Sequence, residues 1–113
     1  MPHEEADTLL VYTSMPDRAA ALDLARALVS RRLAACVNVL DGCTSVYRWQ
    51  GAVEEASEVP VVLKTRSARY AEVEAAILEL HPYELPEIVA VPVVRGLPEY
   101  LEWVALETAI PIG

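Results

Sequence analysis

The spacing of apolar and polar residues changes period several times along the chain, and each change marks an element. Thr8-Leu9-Leu10-Val11-Tyr12-Thr13 combines β-branched and aromatic residues and predicts a strand. Met15-Pro16-Asp17 breaks it, and Asp17 is placed to cap a helix, where its charge suits the positive end. Ala21, Leu22, Ala25, Leu28 and Val29 then recur at helical spacing, with Arg18, Asp23, Arg26 and Ser30 on the other face. Arg31 and Arg32 suit the negative end of that helix. Residues 33–40 are apolar on both faces apart from Asn38 and read as a buried strand. After a bend at Asp41-Gly42, extended chain resumes over 44–49. Gln50-Gly51 forms a hairpin turn, and a return strand becomes solidly apolar at Val59 and ends at Lys64-Thr65-Arg66. Ser67 is the next cap candidate, followed by the stripe Tyr70, Val73, Ile77 and Leu80, which His81-Pro82 closes. Residues 87–95 read as the last main strand. Gly96-Leu97-Pro98 opens a third helix, with Tyr100, Leu101, Trp103, Val104 and Leu106 on its apolar face. Residues 1–7 read as loose and 109–113 as an apolar tail.

That order predicts one α+β domain over residues 1–113: a ferredoxin-like βαββαβ antiparallel sheet with both main helices on one face, and an extra C-terminal helix. The pattern then poses a difficulty. A sheet covered on one side keeps a polar second face, yet the stretches 33–40, 59–63 and 88–94 are apolar at alternate and intervening positions alike. Two helices cannot cover both faces, so the second face is expected to be buried by further copies of the chain. The hairpin around Gly51 offers an edge for such a contact, and Tyr47 and Trp49 near its tip are candidate interface aromatics.

Composition narrows the function classes. With 113 residues, 54% of them hydrophobic, the chain can bury a genuine core. A net charge of −8 argues against nucleic acid as a partner, because phosphate-backbone binding draws on basic residues. No stretch has the length of a membrane span, and the first residues do not resemble a signal peptide. Cys36 and Cys43 form no CxxC pair, so a reduced, cytoplasmic protein is expected.

The densest chemistry lies in His81-Pro82-Tyr83-Glu84-Leu85-Pro86-Glu87, a stiff polar connector between a helix and a strand. His81 is the main metal candidate, since imidazole suits Cu(II) and Zn(II). Glu84, Glu87 and Cys36 are the further candidates beside it, although Cys36 mid-strand reads more simply as a small apolar residue. The bland alternative is that His81 bonds a carboxylate or carbonyl and shapes the loop. Lys64 is the only lysine. Together with Glu58, Tyr83, Glu84 and Glu87 it could line an intersubunit cleft, or simply pair with a carboxylate. Asn38 in an apolar strand needs partners for its amide and is a further cleft candidate. The sequence carries no nucleophile–base constellation, P-loop or dinucleotide fingerprint, so a non-enzyme is expected.

Five separated motifs, Leu33-Ala34-Ala35-Cys36-Val37-Asn38, Tyr47-Arg48-Trp49-Gln50-Gly51, Leu63-Lys64-Thr65, His81 to Glu87 and Tyr100-Leu101-Glu102-Trp103, stand in the order seen in the CutA divalent-cation tolerance family. The chain resembles that family from about Thr8 to Glu107. The resemblance implies a ferredoxin-like homotrimer in the cytoplasm, linked to tolerance of copper and other divalent metals, with Cu(II) or another divalent cation as ligand and no organic cofactor. It also implies copper at the histidine before Pro-Tyr, here His81. This chain departs from some members in two places: strand one reads Tyr12-Thr13-Ser14-Met15 where they have a cysteine, and Leu80 stands where they have a second histidine. A PII-like small-molecule sensor and a ligand-free trimeric scaffold are the alternative readings. Loss of metal binding on removing His81, dependence of a small anion on Lys64, or neither, separates the three.

Overall fold

A computed structural model describes residues 7–110. The elements run in the order β1 (Thr8–Met15), α1 (Arg18–Ser30), β2 (Cys36–Val39), β3 (Cys43–Trp49), β4 (Ala52–Arg66), α2 (Tyr70–Leu80), β5 (Val89–Pro92) and α3 (Pro98–Glu107). All pairings are antiparallel, and the sheet order is β2-β4-β1-β5 with β3 also on β4. The predicted α+β architecture and its antiparallel sheet are therefore present.

Strand β4 organises the sheet. Its C-terminal half pairs with β1, from Met15↔Val59 to Thr8↔Arg66, and with β2, from Val39↔Val61 to Cys36↔Lys64. Its N-terminal half pairs only with β3, which forms a projecting hairpin. Gln50 and Gly51 turn that hairpin with φ of 49° and 82°. Positive φ at both central residues matches the right-handed twist of the flanking strands.

Strand alternation divides the sheet into two faces. Val11, Thr13, Met15, Val61, Leu63 and Thr65 point to one face and are buried, together with Ala21, Leu24 and Leu28 of α1 and Val73, Ala76 and Ile77 of α2. Leu24 rather than Leu22 completes the α1 stripe, and Val29 is exposed. Asp17 caps α1 as expected: its Oδ1 accepts from the Ala20 amide at 2.8 Å. At the other end Arg32 takes φ 58°, and the Arg32 and Leu33 amides donate to the Val29 and Leu28 carbonyls. This left-handed stop consumes Leu33 and Ala34, so β2 begins only at Cys36, not at residue 33.

Other boundaries also move. A 3-10 turn, Ser67–Arg69, precedes α2, so Ser67 lies inside that turn and Arg69 occupies the cap position of the α-helix. The last strand shrinks from the expected 87–95 to Val89–Pro92, because only 89–92 find partners along β1; beyond them the Val93 amide still reaches the Thr8 carbonyl. On α3, of the residues read as its apolar face, only Val104 is fully buried; Tyr100, Trp103 and Leu106 remain exposed. Of the segment expected to be loose, residues 1–6 lie outside the described residues, as do residues 111–113 of the tail. Asp7 is tied down: its carbonyl accepts from the Ser67 amide at 2.7 Å and its carboxylate pairs with Arg66.

Candidate functional site

The segment after α2 is held by hydrogen bonds to its own backbone and to distant strands. His81 is only 8% exposed. Its Nδ1 accepts from the Tyr83 amide at 3.2 Å, which leaves Nε2 to carry the proton and donate to the Ser14 carbonyl at 2.6 Å. Both ring nitrogens are thus engaged and neither offers a lone pair to a metal. The His81 and Tyr83 rings lie 4.6 Å apart at 52°. The Tyr83 phenol is pushed up to about 12, first by burial and then by its hydrogen bond to the Glu58 carboxylate and that group's charge. His81 therefore fastens the connector to β1, and Tyr83 fastens it to β4.

Beyond these two anchors the connector runs free of regular structure, and it forms one wall of an open cleft of about 1040 Å³. The hairpin forms the other wall. Ser45, Tyr47, Trp49 and Glu58 line it from β3 and β4; Tyr83, Glu84, Leu85, Glu87 and Ile88 line it from the connector and the approach to β5. Three carboxylates and three aromatic rings therefore face one space, and no lysine, arginine or histidine is among the lining residues.

The sequence candidates fall into two groups. Glu58, Tyr83, Glu84 and Glu87 share the cleft, and so do Tyr47 and Trp49, the residues proposed as interface aromatics. Lys64, Asn38 and Cys36 do not line it. They lie on the sheet face opposite α1 and α2, where Cys36 and Lys64 are cross-strand partners. There the Lys64 ammonium donates to the Asn38 side-chain oxygen and sits 3.9 Å from Cys36 Sγ. Asn38 is thus exposed and bonded by Lys64, which answers its need for a partner; the carboxylate partner considered for Lys64 is replaced by an amide oxygen. Cys36 is half-buried and close enough to Tyr100 of α3 that the two groups interact electrostatically.

Ser14 is the functional-region residue that sequence reasoning missed. It stands 67 positions from His81 and acts through its carbonyl, so no side-chain pattern could have flagged it. Among the described residues, no group of three or more His, Cys, Asp and Glu side chains is placed to hold a metal ion. The candidate set His81, Glu84, Glu87 and Cys36 is therefore dispersed within one chain: the ring is occupied, the two carboxylates face the cleft, and the thiol lies on the other group's face of the sheet.

Comparison with known proteins places this geometry in a family. A family profile described as CutA1 divalent ion tolerance protein matches residues 9–107. The divalent-cation tolerance protein CutA of Thermus thermophilus is 43% identical over 99 residues, covering 88% of this chain and 96% of that protein. A CutA homolog of Xenopus laevis is 44% identical over 93 residues, 82% of this chain; the match spans 62% of that longer protein. The crystal structure of CutA from Xylella fastidiosa superposes with a TM-score of 0.88 at 43% identity, covering 91% of this chain and 99% of that one. With a profile match across nearly all of its elements and a relative matched almost end to end, the chain belongs to the CutA1 divalent ion tolerance family.

Proposed function

We propose that this protein supports tolerance of divalent cations as a cytoplasmic homotrimer, taking Cu(II) or a similar ion weakly at the acidic cleft and performing no catalysis. The observation behind this reading is that Glu58, Glu84 and Glu87 line one open cleft, while among the described residues no single chain completes a ligand set. Carboxylates without imidazole or thiolate partners favour labile binding, as a regulatory site requires. His81 acts as a positioning residue, since its two nitrogens hold the connector in place.

Assembly is supported by the apolar surface that one chain leaves uncovered. Val46 and Val53 on the hairpin, Leu85 on the connector, Val91 on β5 and Leu106 on α3 are all exposed. The hairpin that carries Tyr47 and Trp49 projects from the sheet, where a neighbouring copy can meet it. The family's threefold assembly fits a surface spread over several sides of the subunit. The cytoplasm suits the two free thiols, Cys36 and Cys43.

Calorimetric titration of Cu(II) into metal-free protein tests the site, with molar mass followed by light scattering. Glu84→Gln combined with Glu87→Gln is expected to weaken binding about tenfold, while His81→Ala retains the wild-type stoichiometry. Imidazole nitrogen coupling in the electron paramagnetic resonance spectrum of the Cu(II)-loaded wild type, lost in His81→Ala with the trimer intact, would return the metal to the imidazole and refute the cleft reading.

A further inference from the structure

A second, smaller pocket of about 330 Å³ lies in the helix layer, between the end of α1 and the outer side of α2. We propose that it binds a small zwitterion of the amino-acid class, with the ligand carboxylate on Arg69 and Arg31 and its ammonium group on Glu72 and Glu79. Arg69 supplies the leading observation. It closes the 3-10 turn before α2 and is only 4% exposed. A guanidinium keeps its charge at any ordinary pH and carries five N–H donors. Here Nη1 donates to Glu72 at 2.9 Å, but the buried Nε has no hydrogen-bond partner among the described residues. A buried donor left without an acceptor is uncommon in native proteins and marks a place where an acceptor belongs. Because Arg69 itself lines the pocket, an acceptor can reach it from there.

The rest of the lining decides the class of ligand. Arg31 stands on the rim and pairs with Glu79 at 3.2 Å, so two guanidinium groups alternate with two carboxylates. Their formal charges cancel. A bare anion would bring a charge that this rim does not balance, and phosphate would bring up to two; a zwitterion adds none and can meet both signs at once. Guanidinium groups match the planar carboxylate in particular. Leu33, Ala75 and Ala76 supply the apolar part, where an aliphatic side chain can lie. The volume falls at the lower end of small-molecule sites, as a ligand of this size requires. None of these residues is among those proposed to meet a neighbouring copy, since α1 and α2 cover the other face of the sheet. The inference is independent of the acidic cleft and of any metal.

The test uses chelator-treated, nitrogen-15-labelled full chain, in which the Arg69 Nε–H resonance reports. L-Valine is titrated beside isovalerate, which keeps only the carboxylate, isobutylamine, which keeps only the ammonium, and inorganic phosphate. The expected result is a saturable shift of that resonance with L-valine and an affinity about tenfold lower for each single-charge analogue. In calorimetry, Arg69→Lys keeps the charge but loses the planar fork, and should weaken L-valine binding about tenfold. Since Arg69 is buried and its replacement can disturb folding, Ala75→Leu serves as the second variant. Ala75 is exposed on α2, and the larger side chain fills the pocket at a position where leucine suits a helix. That variant should keep its circular dichroism and molar mass and lose saturation. No saturation with L-valine would mean that water alone meets Nε and would overturn the proposal. So would equal or tighter binding of isovalerate or phosphate, or an affinity unchanged in Ala75→Leu. Neither variant touches Glu58, Glu84 or Glu87, so failure here leaves the metal reading of the cleft standing.

Discussion

The two faces of the sheet use the same kinds of residue and meet different fates. On the face under α1 and α2, Val11, Val61 and Leu63 are wholly buried. At the other edge of the same sheet, Val89 and Val91 of β5 are 49% and 53% exposed. Both sets are β-branched or aliphatic, and both satisfy their backbone groups in an antiparallel ladder. The difference is the presence of a helix above them. Burial on the first face is complete within one chain, whereas the second stays partly open because α3 leaves Val89 and Val91 exposed, and the proposed assembly is what would cover them. An apolar pattern therefore reports that a position is meant to be dry, and it is silent about which chain dries it.

The contrast can be broken at its strongest point first. Leu63→Ala removes a fully buried side chain from the helix-covered face and is expected to cost about 2–5 kcal/mol, read from denaturant unfolding. Val91→Asp should leave the helix content seen by circular dichroism intact and lower the molar mass at micromolar concentration. A variant that stays assembled would show that β5 lies outside the interface.

Tyr83 sharpens the comparison by a smaller, pH-limited effect. Its phenol is raised from 10.0 to about 12 in the folded protein. Because the folded state holds the proton more tightly, the contribution is fully present below pH 10 and is lost as pH rises toward 12. Tyr83→Phe should therefore unfold more readily than wild type near neutrality, and the gap should narrow across that alkaline window. A gap constant with pH would mean that folding does not raise the phenol, by burial or by Glu58. The smallest change concerns the hairpin tip, where Gln50 holds φ 49°. Asn tolerates that conformation better, so Gln50→Asn should raise the denaturation midpoint by the equivalent of about 0.5 kcal/mol.

Much of the fold was legible because its signals are local. The Asp17 cap, the Gln50-Gly51 turn and the helix-stopping His81-Pro82 each announce themselves within a few residues. The ends of β2 and β5 were not legible. Arg32 adopts a left-handed conformation usually left to Gly, and so conceals the stop that shortens β2. The length of β5 is set by what β1 offers it, which lies about eighty residues away in sequence. The site divides in the same way. The acidic and aromatic residues of the connector were visible as chemistry, but the engagement of both His81 nitrogens depends on Ser14 and on the local backbone. Lys64 was grouped with the cleft because it ends an apolar strand; cross-strand register instead sets it beside Cys36 and near Asn38.

The two halves of β4 also set an order of events for folding. The hairpin half closes a two-residue turn against β3, a contact of the shortest possible range, which can form in microseconds. The other half must find β1, joining Thr8 to Arg66 across about half of the chain, and that search carries the entropy of a long loop. A preformed ribbon would then drag its own continuation toward the N-terminal strand, so the element that later shapes the cleft wall also serves as the early scaffold on which the central pairing is recruited.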